Sequence, residues 1–529
     1  MRRKIMPKLR FIPLFMIVFA FFVLLGNSRP QNPGREWVQN HPFQISAAAM
    51  SDTYWGVKTY RDCGLNAIHP WQLLPDHPHG NTVIFNSSRD DGLIVHPDIR
   101  GTHLHDGLLN FINSISDTSS THAWYVMDEP PQEIFPGVAE VVLWLKENRP
   151  DSLIYLSTAN FADEYLDPLM SQMEPDALAY CFYPFYSGAT EINKYFNATT
   201  RMRNKTLQHN IPMFTWIHAF AGVSGSDNWR IPTEGDIRMQ VFSSLAAGTK
   251  GLFYWLYDRD QWAVDFTYAM TDIGGTPNEM YYQIQGINSE VAKLGEVLRF
   301  LKSEDLRFVR GRRNIYQMNS VPTGLTEWSF GAGGNTKITG VAVAPGQNGD
   351  EKNGLIGFFS YDGPDVQCDG AQYFMFTNLH RSDTLNFTIT FDPSVSGLRK
   401  LSRATGNWEK VDILNGILDL TLSAGTGELF DFSECYAEQE ENDDDVEDDT
   451  DNNYDEDTHD IPDDDISEND EEKYPDENSD SDKDVTEDDS SYIENGDSSD
   501  KDNDDGEDRY DRGTEGVLDE TGCGCSVIY

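Results

Sequence analysis

The sequence predicts a (β/α)8 barrel followed by an all-β sandwich and a long acidic tail. Three observations carry that expectation. Between about residues 44 and 302, short apolar runs alternate with segments of helical periodicity over the roughly 260 residues that such a barrel needs. After Ser303 the pattern becomes short alternating strands separated by Gly, Asp and Asn, the mark of a sandwich. From Glu434 to Glu520 there are 42 acidic and 5 basic residues, so this stretch accounts for -37 of the formal charge of -48 on the 529 residues.

The chain begins with Arg2, Arg3, Lys4, Lys8 and Arg10, then an apolar run from Phe11 to Leu25, then Gly26-Asn27-Ser28. This is the layout of a secretory signal. The run is short for a spanning helix, and an uncleaved anchor is the alternative. Residues 1–28 are therefore expected to be a signal peptide or signal anchor. The body is expected to be secreted or at the cell surface, with no membrane contact beyond such an anchor.

The barrel is expected over residues 36–302. Its strands read as Phe43 to Ala47, Ala67 to Trp71, Leu93 to Asp98, Ala123 to Met127, Leu153 to Ser157, Ala177 to Tyr183, Met213 to His218 and Leu252 to Tyr257. Gly137 to Asn148 and Glu234 to Ala247 carry helical stripes, the second with Thr233 and Asp236 placed as a capping pair. Glu279 to Lys302 reads as one long amphipathic helix. A doubly wound open sheet is the alternative, but no Gly-rich phosphate loop follows the first strand.

The β domain is expected over residues 303–435, with strands at Glu327 to Phe330, Lys337 to Val343, Leu355 to Ser360, Gln372 to Asn378, Leu385 to Phe391 and Ile417 to Leu422. Residues 436–529 cannot bury a core and read as a disordered spacer. Asp500 to Gly506 resembles a calcium loop with its glycine one place late, so weak cation binding is the better reading. The terminal Gly522-Cys523-Gly524-Cys525 places no cysteine for prenylation.

The charge excludes an electrostatic nucleic-acid binder. Six cysteines in this length are no disulfide scaffold. Cys63 and Cys181 read as buried thiols, and Cys368 and Cys435 as either paired or free. His103-x-His105 is the nearest approach to a metal pair and reads as solvated. No metal and no cofactor are expected.

In such a barrel the reactive groups stand at the C-terminal ends of the strands. The fourth strand ends Trp124-Tyr-Val-Met-Asp128-Glu129-Pro130, two carboxylates emerging from an apolar run. Acids beside a core are unfavourable unless something uses or caps them, so Asp128 reads either as a loop cap or as chemistry. Glu129 is the candidate general acid/base: the neighbouring charge of Asp128 and the aromatic surroundings would keep it protonated while Asp128 stays ionised. Asp258, at the end of the eighth strand, is the alternative second carboxylate. Glu234 reads better as a first-turn charge favoured by the helix dipole. Trp71, Tyr183, Tyr186, Trp216, His218, Trp255 and Tyr257 converge at strand ends as a sugar platform, since pyranose rings offer C–H faces to π surfaces. For Trp216 and Trp255, barrel core is an equally good reading.

These motifs resemble glycoside hydrolase barrels. The resemblance rests on Trp-Tyr-x-x-Asp128-Glu129-Pro130, on Tyr183-Pro184-Phe185, and on Trp229 to Glu234 leading to Leu245-Ala-Ala-Gly248 before the last strand. Ser423 to Phe430 resembles the closing strand of the β domains that follow such barrels. The likeness spans about residues 43 to 432 and implies a carbohydrate substrate. Two subclasses compete. β-Galactosidase-like barrels end the fourth strand Asn-Glu and place a nucleophilic Glu on the seventh, but here Asp128 replaces the Asn and the seventh strand ends in His218. Substrate-assisted hexosaminidases end the fourth strand Asp-Glu. There the Glu protonates the leaving oxygen and the Asp orients the substrate's acetamido group. By that resemblance, Tyr183 would donate to the developing oxazoline or to the ring oxygen. A glycan-binding protein on a degenerate barrel, and a conventional glycosidase using Glu129 and Asp258, remain alternatives.

Overall fold

The computed structural model describes residues 29, 32–50, 55–71, 82–115, 123–259, 265–364 and 373–432. The N-terminal apolar segment, the acidic tail with its Asp500 loop and terminal cysteines, and Cys368 and Cys435 lie outside the described residues.

Helix α1 (Pro33–Asn40) precedes eight parallel strands: β1 (Gln44–Ala49), β2 (Ala67–Pro70), β3 (Ile94–Val95), β4 (Ala123–Asp128), β5 (Leu153–Thr158), β6 (Ala177–Cys181), β7 (Met213–His218) and β8 (Gly251–Trp255). They lie in the order β3-β2-β1-β8-β7-β6-β5-β4. The ring closes where the chain beyond β3 meets β4: Ile99 N–H donates to Tyr125 O at 3.1 Å and Gly101 N–H to Val126 O at 2.8 Å. All but β3 are buried at every position, which is why they read as apolar runs: a barrel strand has the bore on one face and helices on the other. β3 pairs over fewer residues than expected because Pro97 supplies no N–H to a ladder.

The connecting helices are α2 (Val57–Asp62), α3 (Thr82–Asp90), α4 (Asp106–Ile115), α5 (Phe135–Asn148), α6 (Asp163–Met173), α7 (Ile192–Gln208), α8 (Glu234–Ala247) and α9 (Glu279–Leu298). α8 begins with the expected capping box, Thr233 and Asp236 bonding reciprocally. The last helix is shorter than expected. It ends at Leu298, and Leu301 already opens β9 (Leu301–Val309), whose buried and exposed positions alternate. Among the described residues no helix is long and apolar enough to cross a membrane.

The bore holds a polar network that the sequence did not announce. His69 Nδ1 lies 2.7 Å from Ser46 Oγ and its Nε2 2.5 Å from Tyr155 Oη. The same tyrosine oxygen meets His96 Nδ1 at 2.9 Å, and His96 Nε2 reaches Gln44 Oε1 at 3.2 Å. Burial, helped by His96, holds His69 well below the usual imidazole range, so it packs as a neutral ring.

A five-stranded antiparallel sheet not expected from the sequence (Phe185–Tyr186, Ala189–Thr190, Ala221–Ser224, Asp227–Trp229, Phe266–Tyr268) covers one side of the barrel mouth. The β domain consists of β9, β10 (Ile338–Val343), β11 (Gly354–Tyr361), β12 (Tyr373–Asn378), β13 (Leu385–Phe391), β14 (Arg399–Leu401), β15 (Trp408–Lys410), β16 (Ile417–Leu422) and β17 (Gly427–Asp431). One sheet runs β9-β11-β12-β17-β14-β15 with a short strand (Thr326–Glu327) at its edge, the other β10-β13-β16. Their shared core includes Ile356, Phe374, Phe376, Phe387, Ile389 and Phe430. Helix α8 packs on β11 and β12. A Cβ at Gly357 would lie 2.0 Å from Ala246 O, so only glycine permits that approach.

Candidate active site

The fourth strand sets the site. Its pairing with β5 shifts register between Tyr125 and Met127, leaving Val126 as the extra residue of a bulge. Without the bulge Tyr125 and Asp128, three apart, would face opposite sides. With it both turn into the bore, and Tyr125 Oη donates to Asp128 Oδ1 at 2.6 Å. Asp128 is 7% exposed. Its burial pushes the carboxyl up to about 6 against the opposing pull of Arg100 and the Tyr125 hydroxyl, with Asp98 adding to the rise. The carboxyl is thus ionised at neutral pH and protonates a little below it.

Glu129 leaves the strand in the left-handed region, φ 44°. For a residue with a side chain this costs about 1–3 kcal/mol. Its N–H still donates to Ser157 O at 3.0 Å, so the turn redirects the side chain without releasing the backbone. The carboxylate is half-buried, and Cys181 Sγ donates to its Oε1 at 3.0 Å. Arg100, at the end of the neighbouring third strand segment, is also left-handed, φ 44°. It bonds Asp98 at 3.0 Å and lies 4.6 Å above the Trp71 ring. Tyr165 anchors the turn by donating to Pro130 O at 2.7 Å.

The remaining candidates fall into three groups. Trp71, Trp216 and Trp255 are 1–2% exposed and pack together, Trp71 with Trp255 at 4.4 Å and Trp216 with Trp255 at 5.9 Å between ring centres. They form the upper layer of the bore rather than open stacking faces. Tyr183 is buried against His218 and Phe220. Tyr186 is half-exposed and stacks on Trp229. Tyr257 does not join them. It lies outside the bore, 4.8 Å from Tyr60 and 5.9 Å from Trp55. His218 is fully buried with Nε2 3.0 Å from Phe220 O, and burial pushes it down to about 3, so it is neutral.

Asp258 is buried, and its Oδ1 accepts from Met50 N–H at 2.6 Å. It follows β8, diametrically across the ring from β4, and ties the end of β1 to the end of β8. Glu234 is a first-turn helix charge paired with Arg238 at 2.7 Å. The sequence reading missed Tyr125, Asp98, Arg100 and Cys181 as neighbours of the dyad. Asp98 and Arg100 stand at a strand end as plainly as Asp128 does, whereas the thiol's partner has no sequence signal. Among the described residues no cluster of His, Cys, Asp and Glu could hold a metal ion.

No family model and no curated protein matches the chain. Solved structures do resemble it. A β-galactosidase from Bacillus circulans sp. alkalophilus is 9% identical at a TM-score of 0.44, over 74% of this chain and 98% of that one. Xylanase 10B from Thermotoga maritima is 12% identical at 0.34, over 49% and 99%. The glycoside hydrolase family 30 subfamily 8 xylanase Xyn30A from Clostridium acetobutylicum is 13% identical at 0.36, over 74% and 95%. Likeness at this level carries no residue and no substrate across.

Proposed function

We propose that the chain is a glycoside hydrolase in which Glu129 is the general acid/base and Asp128 orients an acetamido group of the substrate. One observation supports this above the others: two adjacent carboxylates at the C-terminal end of β4, one buried in the bore and the next leaving the strand in left-handed backbone. Strain of that kind collects where geometry serves chemistry.

The step balances as follows. The acetamido carbonyl oxygen attacks C1, the glycosidic C1–O bond breaks, and the Glu129 proton passes to the leaving oxygen. Water then opens the oxazolinium while Glu129 takes back a proton. Asp128, ionised above about pH 6, accepts the acetamido N–H. The scheme needs no carboxylate on β7, where His218 stands.

The test is turnover of aryl N-acetylhexosaminides, blocked by a thiazoline analogue. Turnover of plain galactosides or glucosides instead would favour a conventional pair with Asp258. The end of β7, which carries His218 and no carboxylate, favours a second reading, a glycan-holding scaffold without catalysis. Retained glycan binding with no turnover would establish it. The same proposal has the enzyme exported, on the basic and apolar layout of the first 28 residues alone; activity confined to the cytoplasm would refute that part.

A further inference from the structure

At the other end of the barrel, beneath the starts of β7 and β8, a cavity of about 60 Å³ lies between α1, α7 and the α9–β9 junction. Its wall carries five cations, Arg35, Arg203, Lys250, Arg299 and Lys302, against one carboxylate, Asp362. Three of the cations have a carboxylate partner: Arg35 with Asp362 at 2.5 Å, Arg299 with Glu296 at 3.1 Å and Lys302 with Glu304 at 3.6 Å. Among the described residues Arg203 and Lys250 have none within 4 Å, though Asp305 and Glu304 act on Arg203, and Asp362 on Lys250, from further off.

Arg203 is only 8% exposed. Its Nε donates to Ser303 Oγ at 2.9 Å and its Nη1 to Asn204 Oδ1 at 3.2 Å. Its Nη2 is buried with no partner, and so is Arg299 Nε. A buried guanidinium N–H without an acceptor is costly, more so than a neutral donor. Lys250 donates to Leu298 O and Leu301 O. The carbonyl ends of α8 and α9 meet there and account in part for that ammonium, but they leave the two guanidinium donors unanswered.

We propose that this cavity binds a small divalent oxyanion of the phosphate or sulfate class, held chiefly by Arg203 and Lys250. The charge suits an anion, since five cations and one carboxylate line the wall, and a bound anion would offset the burial that pushes Lys250 down to about 7. The chemistry matches, since a planar guanidinium presents paired donors to a tetrahedral oxyanion. The size matches, since a water needs about 10–15 Å³ of such space and the cavity holds several times that. The inference goes beyond the hydrolase reading and does not depend on it. The ion would tie α7, the start of β8 and the point where the barrel passes into the β domain.

The experiment uses the full chain in a phosphate-free buffer. Thermal unfolding and isothermal titration calorimetry are run with sodium phosphate and sodium sulfate, each against sodium chloride at matched ionic strength. Expected are one-to-one binding and a rise in the unfolding midpoint that saturates. Salt exclusion instead stabilises without saturating and acts on every variant alike. Arg203→Gln should weaken binding by about tenfold or more, the loss of a charge-assisted hydrogen bond. Should that variant fail to fold, Lys302→Glu, half-exposed at the rim, should weaken binding by several-fold on charge alone. No saturable binding, or affinity unchanged in both variants, overturns the proposal.

Discussion

The two ends of the barrel use their charges differently. At the upper end, where strands finish and helices begin, stand Asp98, Asp128, Glu129 and Asp258. At the lower end stand Lys250 and Arg299, just past the ends of α8 and α9, with Arg35 in the first turn of α1 and the carboxylates Asp176 and Asp362. Helix dipoles favour Lys250 and Arg299 near carbonyl ends but not Arg35 in a first turn. The ends differ in what the charges do. Below, Lys250 donates to the carbonyls of Leu298 and Leu301 and Arg299 to those of Gln39 and His41, and both tie neighbouring segments together. Above, Asp128 is held near pH 6 by burial, and Glu129 and Arg100 sit in left-handed backbone. The left-handed backbone and the buried carboxyl at the upper end each cost stability.

The comparison breaks most plainly at Glu129. Glu129→Gln keeps the shape and removes the proton, so turnover should fall by about 100-fold or more while the unfolding midpoint holds. An unchanged rate would remove Glu129 from the mechanism and leave the strained turn unexplained.

Asp128→Asn should lower turnover yet raise stability. Burial pushes the folded carboxyl up from its ordinary 3.8 to about 6. Between those values the folded state holds a proton that the unfolded state lacks, so wild-type stability falls as pH rises through that window. The asparagine escapes this. Its advantage should be absent below about pH 4 and complete above about pH 6, at roughly 2–3 kcal/mol as an upper bound. Urea denaturation at the two pH values measures it; a destabilised variant at pH 8 would mean that Asp128 is structural.

The lower end should show the converse. Gly248 ends α8 with φ 97°, and a Cβ there would lie 2.7 Å from Ser303 Cβ. Gly248→Ala should therefore cost about 1–2 kcal/mol and leave kcat/KM where it was. A matching loss of turnover would mean that the two ends are coupled.

How much of this was legible follows from the same physics. Barrel strands buried on both faces write themselves as apolar runs, so β1, β2 and β4 to β8 were readable to within two residues at nearly every end. Pro97 shortened β3 by withholding one N–H. The start of β9 was read as helix because Leu301 continues the apolar stripe of α9, and the period of two shows only over the whole of Leu301–Val309. β14 and β15, three residues each, are too short to display any period. At the mouth, Asp128 and Glu129 stood out as acids after an apolar run. The bulge at Val126 that aims Asp128 inward leaves no mark, since nothing in Trp124-Tyr-Val-Met distinguishes a bulged strand from a regular one. Cys181 was legible as a buried thiol, but its partner, 52 positions away, was not.

The bulge itself can be tested through the hydroxyl that it brings to Asp128. Tyr125→Phe deletes the donor 2.6 Å from Oδ1, a bond that favours the ionised carboxylate and so lowers its pKa. Without it Asp128 should titrate higher still. If ionised Asp128 is what orients the substrate, the acid limb of the pH–kcat/KM profile should move up by under about one unit, with little change at pH 8. In an Asp128→Asn background that limb should be absent and the same substitution should leave the profile unchanged, a non-additivity that a shared structural defect would not produce. A limb that ignores Tyr125→Phe in both backgrounds would assign the titration to some other group, and the upper end would then owe its strain to something other than this dyad.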